Sequence, residues 1–196
     1  LLFSLEGPAK PILSAERTIL NFCQFLSGTA TKAHRYSQLL VNSKVQILDT
    51  RKTIPGLRIA QKYAIHCGGC RNHRLGLFDA YLIKENHIIS CGGIAKSIQL
   101  AREKHAGLPI EIEVETLEEL CEAIKAGAHI ALIDNFSSEE TQEAVKIAKG
   151  KIKLEASGGI TLASIEEIAQ SGVDYISIGD LSKEVIPVDL SMRFYG

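Results

Sequence analysis

Charged residues and glycines recur at one kind of place in this chain, where a short apolar run gives way to a polar segment. Asp49-Thr50-Arg51-Lys52 follows one such run, Lys84 closes another, and Glu113 with Glu115 ends a third; Asp134-Asn135, Ser157-Gly158-Gly159 and Gly179-Asp180 follow three more. The cations Arg51, Lys52, Arg71, His73, Arg74 and Lys84 suit a small di- or trianion, because a guanidinium bonds carboxylate or phosphate through two parallel N–H groups. Glycine turns free backbone N–H groups for a phosphate, or simply serve a tight turn; Ser157, Gly158, Gly159 and Gly179 are the candidates. In IEIEVE the two-residue period sends Ile110, Ile112 and Val114 to one face and Glu111, Glu113 and Glu115 to the other. Carboxylates so placed beside cations suit a hard metal such as magnesium, or a set of charge-balanced Glu–Lys pairs. Cys67-Gly-Gly-Cys70 has no second ligand pair for structural zinc and reads as a glycine-rich loop with two thiols. Arg58 and Lys62 read as solvated helix residues.

Such residues need a frame that gathers six distant chain positions. Strands are expected at 45–49, 80–84, 110–115, 130–134, 152–157 and 175–179, with helices at 56–66, 94–105, 117–126, 138–149 and 162–170 between them. Alternation of this kind gives a parallel sheet. Polar residues at the ends of successive strands converge only if the sheet curls, so the expected fold is α/β, an incomplete (β/α) barrel of about six parallel strands. A helix capped by Ser14 precedes it, with a break expected around 27–29.

The 196 residues, 45% apolar and 23% charged, suffice for one packed domain. With 22 Lys+Arg against 23 Asp+Glu there is no global positive field for nucleic acid or a membrane surface. Five cysteines, an odd number scattered along the chain, argue for reduced thiols and a cytoplasmic protein. The extended start followed at once by GPAKP reads as the tail of an earlier unit, left by an N-terminal truncation, and residues 15–196 are expected to form the barrel.

The segments ERTILNFCQFLSG, ILDTRKTIPGLR, GGCRNHRLGLFDAYLIKENHI, EIEVET, LIDNF, EASGGI and VDYISIG, in that order, resemble the quinolinate phosphoribosyltransferases, or carboxylating nicotinate-nucleotide pyrophosphorylases. The resemblance implies an enzyme of de novo NAD biosynthesis. It transfers phosphoribose from phosphoribosyl pyrophosphate to quinolinate with decarboxylation, giving nicotinate mononucleotide, pyrophosphate and carbon dioxide. It also implies a homodimer, or a multiple of dimers, in which an N-terminal α/β sandwich domain covers the partner's barrel mouth, with residues 1–14 here as the remnant of that domain. By the same resemblance Arg51, His73, Arg74 and Lys84 hold quinolinate, and Arg17 joins them across the dimer interface. Lys52, Glu113 and Asp134 face phosphoribosyl pyrophosphate and its magnesium, for which Glu113 and Asp134 are the metal residues, while Ser157, Gly158, Gly159 and Gly179 cradle the 5-phosphate. Cys70 and Asp180 depart from the residues usual in the family. The rival readings are a non-decarboxylating phosphoribosyltransferase and a non-catalytic barrel that binds a phosphorylated metabolite.

Overall fold

The structure, a computed structural model, describes residues 1–194. Tyr195 and Gly196, at the end of the expected barrel domain, lie outside the described residues. Leu1–Pro8 is exposed and forms no strand, and α1 (Ala9–Leu39) follows as one helix of 31 residues. Two expectations about this helix are overturned. Ser14 does not cap it: Pro8 holds the N-cap position and Pro11 falls in the first turn, where N–H groups lack intrahelical acceptors anyway. The Ser14 hydroxyl instead donates to the Lys10 carbonyl at 2.9 Å.

Nor does the helix break at 27–29. Gly28 and Thr29 are buried where the chain near Ile186 and Pro187 crosses α1, and the Val188 N–H donates to the Gln24 carbonyl at 3.0 Å. A Cβ on Gly28 would stand 2.2 Å from the Ile186 carbonyl oxygen, so this glycine permits close approach of two backbones. Gly28→Ala is expected to cost about 1–3 kcal/mol by overpacking, read as a lower melting temperature. A melting temperature equal to wild type would show that the crossing strap can move aside.

Beyond α1 the strands are β1 (Gln46–Leu48), β2 (Tyr81–Ile83), β3 (Ile110–Val114), β4 (Ile130–Asp134), β5 (Lys153–Ser157) and β6 (Tyr175–Ser177). The helices are α2 (Arg58–Cys67), α3 (Glu85–Cys91), α4 (Ile94–Lys104), α5 (Leu117–Ala126), α6 (Ser138–Ala148), α7 (Ile165–Gln170) and α8 (Asp180–Lys183). Every expected strand and βα helix is present, while the short α3 and α8 were not anticipated. Local chemistry starts and stops the helices. Thr116 accepts from the Glu119 N–H at the start of α5, and Ser137 with Glu140 forms a reciprocal cap on α6.

All neighbouring strands are parallel, in the order β1-β6-β5-β4-β3-β2. A closed barrel would pair β1 with β2; here the sheet stays unclosed. The segment after α2 lies along the free edge of β1, where the Arg71 N–H donates to the Ile47 carbonyl at 2.8 Å and the Asp49 N–H to the Arg71 carbonyl at 3.1 Å. Ile110, Ile112 and Val114 join Ile65, Ile98 and Leu120 in the helix-covered core. A buried parallel sheet is normally apolar on both faces. On the other face of this one, Glu111 and Glu155 are buried and Glu113 is largely so, an arrangement that packing alone does not account for.

Candidate active site

A cavity of about 750 Å³ opens beside the C-terminal ends of the strands, with Arg51, Lys52, His73, Arg74, Lys84 and Ser157 in its lining. Six residues expected from strand ends and their neighbouring loops therefore meet in one place. The loop after β1 carries Arg51 and Lys52, and its shape is held by Arg58. That side chain donates to Thr53 Oγ1 at 3.2 Å, to the Leu75 carbonyl at 3.3 Å and to the Arg51 carbonyl at 3.4 Å. Arg58 is thus a loop-ordering residue and not a solvated one.

Among the described residues, Arg51 and Arg74 each keep a buried Nε without a hydrogen-bond partner. Burial, and then the nearby charge of Arg51, lowers the pKa of Arg74 from its ordinary value. A guanidinium whose charge is disfavoured by burial and by a second guanidinium, with an unused N–H on each, is what a multiply charged anion would satisfy. Arg74 Nη1 donates to the Ala80 carbonyl at 3.0 Å, which anchors one end of its fork.

Beneath them lies a cluster that the sequence reading left largely unremarked. His73 Nε2 is 2.8 Å from Glu111 Oε2 and 3.5 Å from Glu155 Oε2, and both carboxylates are buried. Among the described residues, Glu111 Oε1 and both oxygens of Glu155 have no hydrogen-bond partner. Ligand atoms of the three residues lie within 4.8 Å of one another, the spacing of a metal centre. The imidazole tautomer opposes that use. The Arg74 N–H donates to His73 Nδ1 at 2.7 Å, so the ring proton belongs on Nε2, between the ring and the glutamates. Burial disfavours the charged ring, but the bond to Glu111 and the charges of both glutamates outweigh it, and the pKa of His73 is raised. Burial, followed by the charge of Glu111, pushes Glu155 up to about 8. Glu155 could have been found from the alternation of Lys153, Glu155 and Ser157 against Leu154 and Ala156.

Other candidates lie beside the cavity. Glu113 is paired with Lys84, whose side chain is 50% exposed, so a residue expected on the acid and one expected on the donor are direct neighbours. Glu115 lies past the end of β3 and is exposed, with its N–H donating to Glu119, so only two of the three alternating glutamates face inward. Asp134 accepts from Asn135 Nδ2 at 2.8 Å. Asn135 has φ 57°, and Gly158, at φ 103°, lies so close that a Cβ would be 2.1 Å from Asn135 Oδ1. Glycine is required at 158 on both counts. Gly159 follows it with φ 54° and is exposed. A Cβ on Gly179 would stand 3.1 Å from Lys52 Cδ, so this turn and the Lys52 side chain lie together. Arg17 is exposed on α1 and is not among the residues of the cavity wall. Asp180 pairs with Lys32 of α1 at 2.5 Å. Cys67 is exposed at the end of α2, and Cys70 is buried in the loop that follows and donates to the Ala33 carbonyl, so only one of the two thiols read as loop residues lies in the loop. Lys62 overturns its solvated reading: it is buried against Asp49.

With that geometry in place, the likeness to known proteins is extensive. The profile of the family described as "Quinolinate phosphoribosyl transferase, C-terminal domain" matches residues 29–193. A probable nicotinate-nucleotide pyrophosphorylase (carboxylating) of Bacillus subtilis is 45% identical over 193 residues, which cover 98% of this chain and 67% of that protein. The nicotinate-nucleotide pyrophosphorylase (carboxylating) of Mycobacterium leprae is 39% identical over 194 residues, 97% of this chain and 68% of its own length. The solved nicotinate-nucleotide pyrophosphorylase of Francisella tularensis superposes with a TM-score of 0.91 at 55% identity, over 93% of this chain and 65% of that one. The chain thus spans about two thirds of the length of these relatives. Fold, profile and identity agree, and the chain belongs to the quinolinate phosphoribosyltransferase family, whose C-terminal domain it contains.

Proposed function

We propose that this chain is the catalytic domain of a decarboxylating quinolinate phosphoribosyltransferase, a pentosyltransferase that makes nicotinate mononucleotide. The observation that carries this reading is the pair of guanidinium groups, Arg51 and Arg74, with unused buried N–H groups at the wall of a cavity that also holds His73, Lys84 and Lys52. Quinolinate brings two adjacent carboxylates, enough to engage both forks. In the reaction the pyridine nitrogen attacks the anomeric carbon of phosphoribosyl pyrophosphate while the C–O bond to pyrophosphate breaks and takes the electron pair. Lys52, lying against the turn at Gly179, is placed to hold phosphate oxygens near that carbon. Ser157, Gly158 and Gly159 supply the neighbouring turn for the 5-phosphate. Once the ring nitrogen is quaternary, the C–C bond to the adjacent carboxylate breaks, carbon dioxide leaves, and the nitrogen stabilises the carbanion until it takes a proton from solvent. Positioning and electrostatics carry the chemistry, and no protein nucleophile is needed.

The carboxylates of Glu113 and Asp134 are hard oxygen donors of the kind magnesium takes one or two at a time, and Asp134 is only half-buried. They fit the ion, and magnesium there would supply positive charge to the leaving pyrophosphate. Arg17, exposed on α1 one turn from the exposed side chain of Leu13, is the residue we assign to the mouth of a second copy in a dimer. Among the described residues no helix is long and apolar enough to cross a membrane. With five free thiols, a cytoplasmic enzyme is the reading we favour. Carboxyl-labelled quinolinate, phosphoribosyl pyrophosphate and magnesium test the whole proposal. One labelled carbon dioxide per pyrophosphate is expected; a product that keeps both carboxylates, or turnover of nicotinate in preference to quinolinate, overturns it.

A further inference from the structure

The buried pair of Asp49 and Lys62 has no part in the chemistry above, and charge at that depth is unfavourable unless something else is gained. Asp49 is 0% and Lys62 3% exposed. All their further bonds lead to one short segment. Asp49 Oδ1 accepts from the backbone N–H of His73 at 2.8 Å, and Asp49 Oδ2 accepts from Asn72 Nδ2 at 2.7 Å. Lys62 Nζ donates to the His73 carbonyl at 2.9 Å, and Asn72 Nδ2 also reaches the Lys62 carbonyl at 2.9 Å. Both peptide groups that flank the His73 side chain are therefore tied to the pair. The Arg74 N–H in turn donates to the His73 ring.

This segment lies at the gap between β1 and β2, where no full strand ladder holds the chain. An apolar contact would bury the segment without fixing its orientation, since such contacts are non-directional. Charge-assisted hydrogen bonds are directional and short. We propose that Asp49, Lys62 and Asn72 are positioning residues that clamp the 71–74 segment to β1, and that this clamp sets the distance from Arg74 to Arg51 and with it the preference for two adjacent carboxylates over one. The inference rests on the proposal that these cations hold quinolinate.

Calorimetric titration of quinolinate and of nicotinate against wild type, Asn72→Ala and Lys62→Met tests it, at a temperature where circular dichroism shows each protein folded. A purely structural role lowers the folded fraction and reduces both affinities by one factor. A clamp reduces the ratio of the two. Charge-assisted hydrogen bonds to a carboxylate weaken steeply when the guanidinium leaves its geometry, so the quinolinate preference is expected to fall about tenfold or more in Lys62→Met and several-fold in Asn72→Ala. Amide exchange should also quicken across 71–74 in both variants. Should Lys62→Met fail to fold, Asn72→Ala decides alone, because Asn72 is exposed and its loss leaves the ion pair intact. An unchanged preference in a folded variant, or equal loss of both acids, overturns the clamp. A wild type that binds the two acids alike removes the functional reading and this inference with it, and that first titration tells the two failures apart.

Discussion

Replacing Arg51 with Met is expected to weaken quinolinate binding by about thirtyfold to several thousandfold while changing nicotinate binding far less. Removing one partner of a buried, hydrogen-bonded charge pair costs about 2–5 kcal/mol, and each 1.4 kcal/mol is about tenfold in affinity. Met keeps much of the side-chain length, so packing changes little and the loss reports on charge. The buried Nε of Arg51 lacks a partner among the described residues, so a bound anion has no competitor for it. Its neighbour Arg74 is also short of a partner at Nε, and the two together match two carboxylates better than one. Titration of both acids against the variant checks this. Loss of the two affinities by one common factor would show that Arg51 does not read the second carboxylate, and the non-decarboxylating alternative would gain.

Glu155→Gln should make the protein more stable at pH 8.5 and leave it unchanged near pH 4. Burial, with the charge of Glu111 behind it, raises this carboxyl from 4.5 to about 8 in the folded chain. The folded state then holds a proton that the unfolded state has released, so stability falls as pH rises from about 4.5 to about 8 and is level beyond that window. Below the window both states are protonated and Gln is a neutral isostere. Above it the wild type has lost stability on the order of a few kcal/mol that the variant keeps. His73 acts in the same sense: its raised pKa contributes stability below its unfolded value of 6.5 that is lost as pH climbs through the folded one. Some decline therefore persists in the variant. Thermal melts of both proteins across pH 4 to 8.5 measure the difference, and a gap that does not vary with pH would exclude proton storage at Glu155.

Much of this architecture is written locally. The run of Ile110, Ile112 and Val114 between glutamates, Ser137 three residues before Glu140, and the switch to polar residues after each strand are properties of a few consecutive positions. Period and capping act at that range, so strand number, the helices α2, α4, α5, α6 and α7 between strands, and the convergence of Arg51, His73, Arg74 and Lys84 were legible without coordinates. The break expected at Gly28 failed because a glycine's reason was 158 positions away, in the Ile186 carbonyl that crosses it.

Lys62 shows the same limit more sharply. Beside Gln61 and Tyr63 it looks like one more polar residue of a helix face, and only the packing of α2 on β1 brings it to Asp49. The fate of the glutamates was likewise decided by strand order. β4 lies between β3 and β5, and the inward faces of those flanking strands send Glu111 and Glu155 to the same imidazole. Hydrophobic periodicity tells each residue which side of its own element to face, because that depends on its neighbours in the chain. Which charge it meets there depends on elements folded from elsewhere, and for a desolvated group that partner sets both its protonation and its use.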